Sequence, residues 1–400
     1  MPGPLDGVRV LDLTTMVSGP VATMMLADQG ADVIKIESPA GDVMRQFGLA
    51  HRGMSASFLS CNRSKRSLCV DLKTEDGLAI VRRLAATADV LVQNFRPGAI
   101  ERMGLGEEVV RELRPDIIFV SISGFGETGP YAHQRVYDPV IQALCGLCDI
   151  QADNETGRPH MVRTIVPDKT TSVTAAQAIT AALFARERTG KGQHIRLAML
   201  DTMVAYLWPE ACSPLTFLDN EQDPAGQQAG PDLIFATADG YITAGAVTDA
   251  EWAGMCRAFG REELIEDPRF GTAAARVHNR AERRTIMNRE IAKWPTAEIL
   301  ARLDRETVPA APVLTRVDVI GDAQVIENAI LEVRDDAELG PVRQPRPAAR
   351  FTETPAEIRS MAPRLGADNA AILGELGYDE AEVARLAGTG VVHRREREAG

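Results

Sequence analysis

The order in which short apolar runs and amphipathic segments alternate restricts this chain more than any single motif does. VRVLDLT (8–14) reads as a strand, PVATMMLADQG (20–30) as a helix with Pro20 in its first turn and Gly30 at its end, and ADVIKIE (31–37) as a second strand. The helix–strand cycle recurs in EDGLAIVRRLAATADVLVQ (75–93) and in GEEVVRELRPDIIFVSI (106–122). Strands separated by helices are joined by crossovers, so the expectation is an α/β fold with a largely parallel sheet and helices on its faces. A long helix rich in Ala and β-branched residues is expected from Lys169 to about Arg188, ended by TGKGQ.

The texture changes after residue 205. Residues 206–231 hold Pro209, Pro214, Pro224, Pro231 and several glycines, as suits a linker. LIFATADGYITAGAV resembles a hairpin around Asp239-Gly240, and amphipathic helices follow at 249–259, 282–293 and 296–304, so 232–315 reads as a smaller α+β domain. PVLTRVDVIGD and GPVRQPRPAARF are punctuated by Pro and Gly, NAAILGELG opens a short C-terminal helix, and HRREREAG (393–400) reads as a frayed charged tail.

With 400 residues, 45% hydrophobic and 25% charged, the chain can bury a large core. A net charge of −12 argues against a general nucleic-acid binder. It leaves room for an anionic ligand, because Arg63, Lys65, Arg66 and Lys73 cluster, as do Arg96 and Arg102. There is no basic segment leading into an apolar one at the N-terminus, and no run approaches the roughly 18 apolar residues of a membrane helix. A cytoplasmic protein without a membrane partner is therefore expected. Cys145 and Cys148 form a C-x-x-C that is either a redox pair or two small buried side chains. The histidines at 51, 133, 160, 194, 278 and 393 show no metal-ligand spacing, so no metal is expected.

Gly124-Phe-Gly126-Glu-Thr-Gly129 follows the apolar run 117–122 with the spacing of a dinucleotide-binding loop. That chemistry needs a helix N-terminus on the pyrophosphate, and Pro130 and Pro139 prevent a helix of useful length from starting there. The first strand–helix turn, TTMVSGP, has the right context and ends its second strand in Glu37, but carries one glycine instead of three. The dinucleotide reading fails. What remains is either a turn or a loop whose backbone something must approach closely.

Asp168, in TIVPDKTTSV, precedes the long helix and allows two readings. As an N-cap it would only satisfy backbone N–H groups. As an ionised carboxylate fixed at the positive end of a helix, it could attack an activated carbonyl.

The blocks PLDGVRVLDLT, SGPVATMMLADQGADVIKIESPAGDVMR, NRSKRSLCVDLK, QNFRPGAIERMGLG, SISGFGETGPY, ALFARERTGKGQHIRLAMLD, VPAAPVLT and APRLGADNAAILGELGY, in this order, resemble the class III coenzyme A transferases. That group contains formyl-CoA transferase and the carnitine CoA-transferases, with α-methylacyl-CoA racemase as a relative, and the resemblance runs from about residue 4 to about 388. It implies a Rossmann-like large domain built from both chain ends (1–205, resumed through 316–392) around the small domain, and an interlocked homodimer. It implies no permanently bound cofactor, with acyl-CoA and a small carboxylic acid as substrates and Asp168 as nucleophile. Coenzyme A contacts carry over to Val17, Ser18, Lys73, Asn94, Phe95, Arg102, Met103, Arg135 and Tyr137, and Gly124 and Gly126 fall near the acyl group.

This chain departs from the pattern at several points. Val17 stands where the formyl-CoA branch has glutamine, and Ser38 replaces an arginine that meets the nucleotide end. DPAGQQAGPD (223–232) lacks a multi-glycine run, which argues against formate and oxalate as substrates. Tyr137-Asp138 replaces the His-Asp pair of the racemases, and a phenol is a poor substitute for imidazole as a near-neutral base. The alternatives are a racemase, lyase or hydrolase acting on a CoA thioester, or a non-catalytic acyl-CoA-binding protein. Arg163 and Arg135 could pair with a second substrate carboxylate, as a dicarboxylate such as succinate would offer.

Overall fold

The computed structural model describes residues 2–153, 156–220 and 233–393. The chain divides into two compact units, Met1–Gln227 with Ile330–Gly400, and Gln228–Ala329.

The larger unit is organised by six parallel strands: β1 (Arg9–Asp12), β2 (Asp32–Glu37), β3 (Arg66–Cys69), β4 (Val90–Gln93), β5 (Ile118–Ser123) and β6 (His194–Ala198). Their order across the sheet is β3-β2-β1-β4-β5-β6, with every neighbouring pair parallel. Alternation along the strands sorts side chains onto two apolar faces. Val10, Val33, Val90, Val92, Ile118 and Val120 point to one face. Helices α1 (Ser18–Asp28) and α6 (Val166–Thr189) cover it with Ala22, Leu26, Ala175 and Ile179. Leu11, Ile34, Leu68, Leu91 and Phe119 point to the other. There α3 (Glu75–Ala85) and α4 (Glu107–Leu113) supply Ile80, Val81, Leu84 and Val110. The C-terminal helices α11 (Asn369–Glu375) and α12 (Glu380–Gly388) complete that second core with Ile372, Leu373 and Leu386.

Two shorter helices, α2 (Ala56–Asn62) and α5 (Asp138–Leu144), lie in the connections, and α7 (Met199–Leu207) follows β6. No helix among the described residues is long and apolar enough to cross a membrane.

In the smaller unit, β7 (Ile234–Ala236), β8 (Tyr241–Ala244) and β9 (Ala310–Pro312) form an antiparallel sheet. The hairpin closes at 237–240, where Thr237 N–H donates to the Gly240 carbonyl. Helices α8 (Asp249–Phe259), α9 (Arg280–Ile291) and α10 (Thr296–Arg305) enclose a core of Phe235, Trp252, Met255, Phe270, Ile291 and Leu303.

Two differences from sequence expectation stand out. The 331–345 region forms a paired hairpin, β10 (Leu331–Asp336) with β11 (Gly340–Pro345). Its prolines at 341 and 345 mask the strand signal. The long helix begins at Val166 instead of Lys169, because Pro167 fits the first turn of a helix, where its missing N–H costs nothing. The 223–232 segment lies outside the described residues, as does most of the C-terminal tail.

Candidate active site

The strand order reverses between β1 and β4, and in open α/β sheets ligands bind in the crevice at the carboxyl ends of such strands. Three pieces of chain leave the sheet there. The turn 14–18 follows β1 and delivers Val17 and Ser18 to the start of α1. Asn94 and Phe95 follow β4, and Gly124 follows β5.

Asp168 is the third residue of α6, so it does not cap its own helix; Ile165 occupies the cap position and makes no side-chain cap bond. The orphan N–H of Asp168 instead donates to Oδ2 of Asp138, at 3.1 Å. Asp138 is buried at the start of α5, and its Oδ1 accepts from Gln142 Nε2 at 2.6 Å. Ser18, the first residue of α1, stands beside the Asp168 carboxylate, close enough for its hydroxyl and backbone N–H to pull the carboxyl down. The nucleophile candidate thus sits where two packed helices, α1 and α6, both begin. Burial and the like charge of Asp138 push its carboxyl up to about 6, against which the Ser18 donors pull down. A carboxylate of that kind is ionised at neutral pH yet poorly solvated, which suits nucleophilic attack.

The turn that presents Ser18 is held from behind by buried charge. Asp12 and Lys65 form a 2.8 Å ion pair, and Lys35 and Asp42 one of 3.0 Å, all four side chains excluded from water. Lys65 Nζ also donates to the Pro20 carbonyl and Asn62 Oδ1, each at 2.8 Å. Its two cationic neighbours hold Asp12 well below the usual carboxylate range despite burial, whereas burial brings Lys65 down to about 8.

Val17 lies in an apolar cluster with Met44, Phe58 and Leu59, against which Ile165 also packs. Asn94 spends its side-chain amide on Thr15, accepting from its N–H at 2.9 Å and donating to its carbonyl at 2.8 Å. Phe95 and Arg102 line a cleft of about 700 Å³, together with Arg96, Ser121, His133 and His194. Met103 is half-buried at the end of the short helix before it. Lys73, Arg135 and Tyr137 are exposed and do not line that cleft. Neither Lys73, Arg102, Arg135 nor Arg163 makes an ion pair among the described residues.

The glycine loop runs from β5 to α5 without an intervening helix, as Pro130 requires. Gly124 is needed for close packing: a Cβ there would fall 2.3 Å from Val136 Cγ1. Gly126 is needed for its backbone, with φ of +90°, and its N–H donates to Ser123 Oγ at 3.0 Å. Glu37, the ribose-binding candidate of a dinucleotide fold, is buried and already bonded to Arg45, the Asp42 N–H and Ser67. It has nothing left for a ribose diol. Ser38 is exposed. Cys145 and Cys148 are free thiols pushed up by burial, hence weak nucleophiles at neutral pH.

Two features escaped sequence reasoning. Asp138, read from the sequence only as half of the replaced racemase pair, accepts the Asp168 N–H and raises the Asp168 carboxyl by its like charge; Asp-Pro at 138–139, the start of a helix, was the available signal. In the cleft, Ser121 Oγ lies 2.8 Å from His194 Nε2, whose Nδ1 lies 2.7 Å from Glu107. Gln93 Nε2 donates to the same serine at 2.9 Å. Ser121 shares the strand parity of Phe119, so this chain of bonds is on the sheet face opposite α6 and its Asp168.

Comparison with known proteins adds to this geometry. The family model described as CoA-transferase family III matches residues 5–369. A mouse succinyl-CoA:glutarate CoA-transferase is 37% identical over 98% of this chain and 91% of its own length. A succinate–glutarate CoA-transferase from Agrobacterium fabrum is 36% identical over 93% of this chain and 96% of its own. A formyl-CoA:oxalate CoA-transferase from Streptomyces avermitilis is 32% identical over 97% and 99%. Among solved structures, a CAIB/BAIF family protein from Brucella suis superposes with a TM-score of 0.83 at 35% identity, over 94% of this chain and all of that one. With a family match over nearly its whole length and relatives of this identity, the chain belongs to CoA-transferase family III and is an enzyme of the CoA-transferase class.

Proposed function

We propose that this enzyme moves coenzyme A from one dicarboxylic acid to another through covalent intermediates on Asp168. The observation that carries the reading is the half-buried Asp168 in the first turn of α6, packed against the start of α1 with its N–H held by Asp138; burial and that like charge raise its carboxyl to about 6. One carboxylate oxygen attacks the donor thioester carbonyl, and the C–S bond breaks to give an acyl–aspartyl anhydride and CoA thiolate. The thiolate attacks the aspartyl carbonyl, releasing the donor acid and leaving an aspartyl–CoA thioester. The acceptor carboxylate then attacks that thioester, and the same steps run in reverse. Each attack at the aspartyl carbon develops negative charge on its oxygen, and the Ser18 hydroxyl and N–H beside the carboxylate are the groups available to answer that charge.

Coenzyme A brings three phosphates, an adenine and an apolar arm. Phe95 supplies an apolar surface on the cleft, and Arg102 is an uncompensated cation there. Val17, Lys73, Asn94, Met103, Arg135 and Tyr137 are assigned to the CoA path by resemblance, Asn94 through its hold on Thr15. Arg135 and Arg163, exposed and unpaired, are the candidates for a substrate's second carboxylate. The succinyl-, succinate- and glutarate-using relatives support that substrate class. Racemisation lacks its base, because Tyr137 stands where imidazole is needed.

The same reading includes a homodimer. Phe184 on α6, Tyr206 on α7, and Trp208, Phe217 and Leu218 beyond it are large apolar side chains left exposed in the single chain.

The test is intact-mass analysis and peptide mapping after brief exposure to succinyl-CoA, glutaryl-CoA or acetyl-CoA. A CoA or hydroxylamine-trapped adduct on the Asp168 peptide is expected, strongest with the dicarboxylic thioesters. Acyl-CoA binding without any adduct would overturn the covalent mechanism. An adduct favouring acetyl-CoA would overturn the dicarboxylate assignment alone.

A further inference from the structure

The turn between β1 and α1 carries an oddity: Met16, with a bulky side chain, has φ of +69°, the left-handed region that favours glycine. Such a conformation persists only where surrounding contacts over-determine it. Here the contacts come almost entirely from side chains. Thr14 N–H donates to Asp12 Oδ1 at 2.9 Å, and the Thr14 carbonyl accepts from Lys35 Nζ at 2.8 Å. Both polar groups of Thr15 are taken by Asn94. Met16 N–H donates to Asp42 Oδ1 at 3.2 Å, and that same oxygen accepts from Met44 N–H at 3.0 Å. Five successive backbone groups are thus claimed by four side chains: Asp12 in β1, Lys35 in β2, Asp42 just beyond β2, and Asn94 just beyond β4. Two residues further on is Ser18, facing Asp168.

We propose that Lys35, Asp42 and Asn94 are positioning residues for the transfer reaction: they hold Met16 left-handed so that Ser18 presents its N–H and hydroxyl to the Asp168 carboxylate. The inference rests on the Asp168 mechanism above. It also reassigns Asn94, whose side chain is committed to Thr15, from ligand contact to scaffold.

Asn94 is the member to test, because it is uncharged and only half-buried, and its loss strands no buried ion. Asn94→Ala should lower kcat by about 10- to 100-fold, the effect of a donor pair displaced by about an ångström. KM for acyl-CoA should stay within about threefold. The acid limb of the kcat–pH profile should move to higher pH, because the Ser18 donors that stabilise the Asp168 anion have left it. Adding Met16→Gly should recover much of the lost kcat, since glycine adopts that φ without steric cost and the turn no longer needs to be forced. If Asn94→Ala does not fold, Asn94→Asp keeps the acceptor for Thr15 N–H while losing the donor, and the same shifts are expected in smaller measure.

A raised KM with unchanged kcat and acid limb would make Asn94 a ligand contact and overturn the proposal. So would a kcat loss that Met16→Gly leaves untouched. Asp168→Asn, run alongside, separates the two levels. If it retains transfer, the mechanism itself is wrong. If it abolishes transfer while the Asn94 variants behave like the parent enzyme, only the positioning role fails.

Discussion

Asp12 and Asp168 are carboxylates withdrawn from water on either side of the same turn, and their surroundings drive them apart. Asp12 has Lys65 on one oxygen, Thr14 on the other and Lys35 close by, so it stays charged far below the usual carboxylate range. Asp168 has no cation shifting it; Ser18 stands beside it and a second carboxylate, Asp138, is nearby, and burial with that like charge raises it to about 6. Burial penalises both anions, and only one is compensated. A compensated charge fixes geometry, because removing either partner strands the other. An uncompensated one stays available to react, because no cation in the resting enzyme neutralises it. The fold places the first kind behind the turn and the second in front of it.

The contrast breaks most completely at Asp168. Asp168→Asn should lower transfer by roughly 10⁴-fold or more, the usual cost of losing a covalent nucleophile, and the mass adduct should vanish. Residual steady-state transfer within tenfold of the parent rate would rule out the covalent role. Next in size is the opposite carboxylate. Lys65→Met leaves the buried Asp12 without its ion-pair partner, with only Lys35 nearby, and should destabilise the enzyme by about 3–5 kcal/mol in denaturant titration. Pairing it with Asp12→Asn removes the stranded charge while keeping acceptors for Thr14, and more than half of the loss should return. A double variant no more stable than Lys65→Met would mean that packing, not charge, dominates there.

How legible this was in advance follows from the range over which each feature is encoded. The alternating strands and helices of 8–122 could be read because burial on two faces leaves a local pattern in each segment, as Val10–Leu11 and Val33–Ile34 show. The hairpin at 331–345 could not, because its register lies in pairings such as Val333 with Arg343, which no apolar alternation marks. Asp168 was legible as an anion at a helix start, and its family resemblance gave it a role. Its placement as third residue, its bond to Asp138 across 30 positions and its contact with Ser18 across 150 are matters of tertiary structure. Lys35 shows the limit most clearly. In the sequence it is one cation inside an apolar strand; only the folded chain reveals Asp42 waiting for it.

The uncompensated carboxylate should also be visible as a stability defect. Asp168 has a folded-state pKa of about 6 against an ordinary 3.8, so the folded protein holds its proton more tightly than the unfolded chain does. Below pH 4 the group is protonated in both states and costs nothing. Between pH 4 and 6 the penalty grows, and above 6 it is complete. Asp168→Asn should therefore be more stable than the parent enzyme at pH 7–8, by about 1–3 kcal/mol, while denaturation midpoints converge below pH 4. An advantage independent of pH would show that the carboxylate's charge is not its source.

The smallest effect tests what Asp138 contributes. Its charge raises Asp168, so Asp138→Asn should move the acid limb of the transfer rate to lower pH, leaving the variant relatively more active than the parent at pH 5 than at pH 8. Geometry sets the accompanying cost. The asparagine oxygen can accept the Asp168 N–H, but its amide then faces Gln142 Nε2, which already donates to the Val162 and Thr164 carbonyls. Two donors opposed in a buried site should cost about 1–2 kcal/mol of stability. Gln142→Glu in the same background would turn that clash into a donor–acceptor pair, but it would return an anion close to Asp168 and strand the two carbonyls without their donor. The informative comparison is therefore Asp138→Asn alone, read at two pH values. A limb that stays near pH 6 would assign the whole upward shift of Asp168 to its burial, and the two carboxylates would differ only in whether a lysine stands beside them.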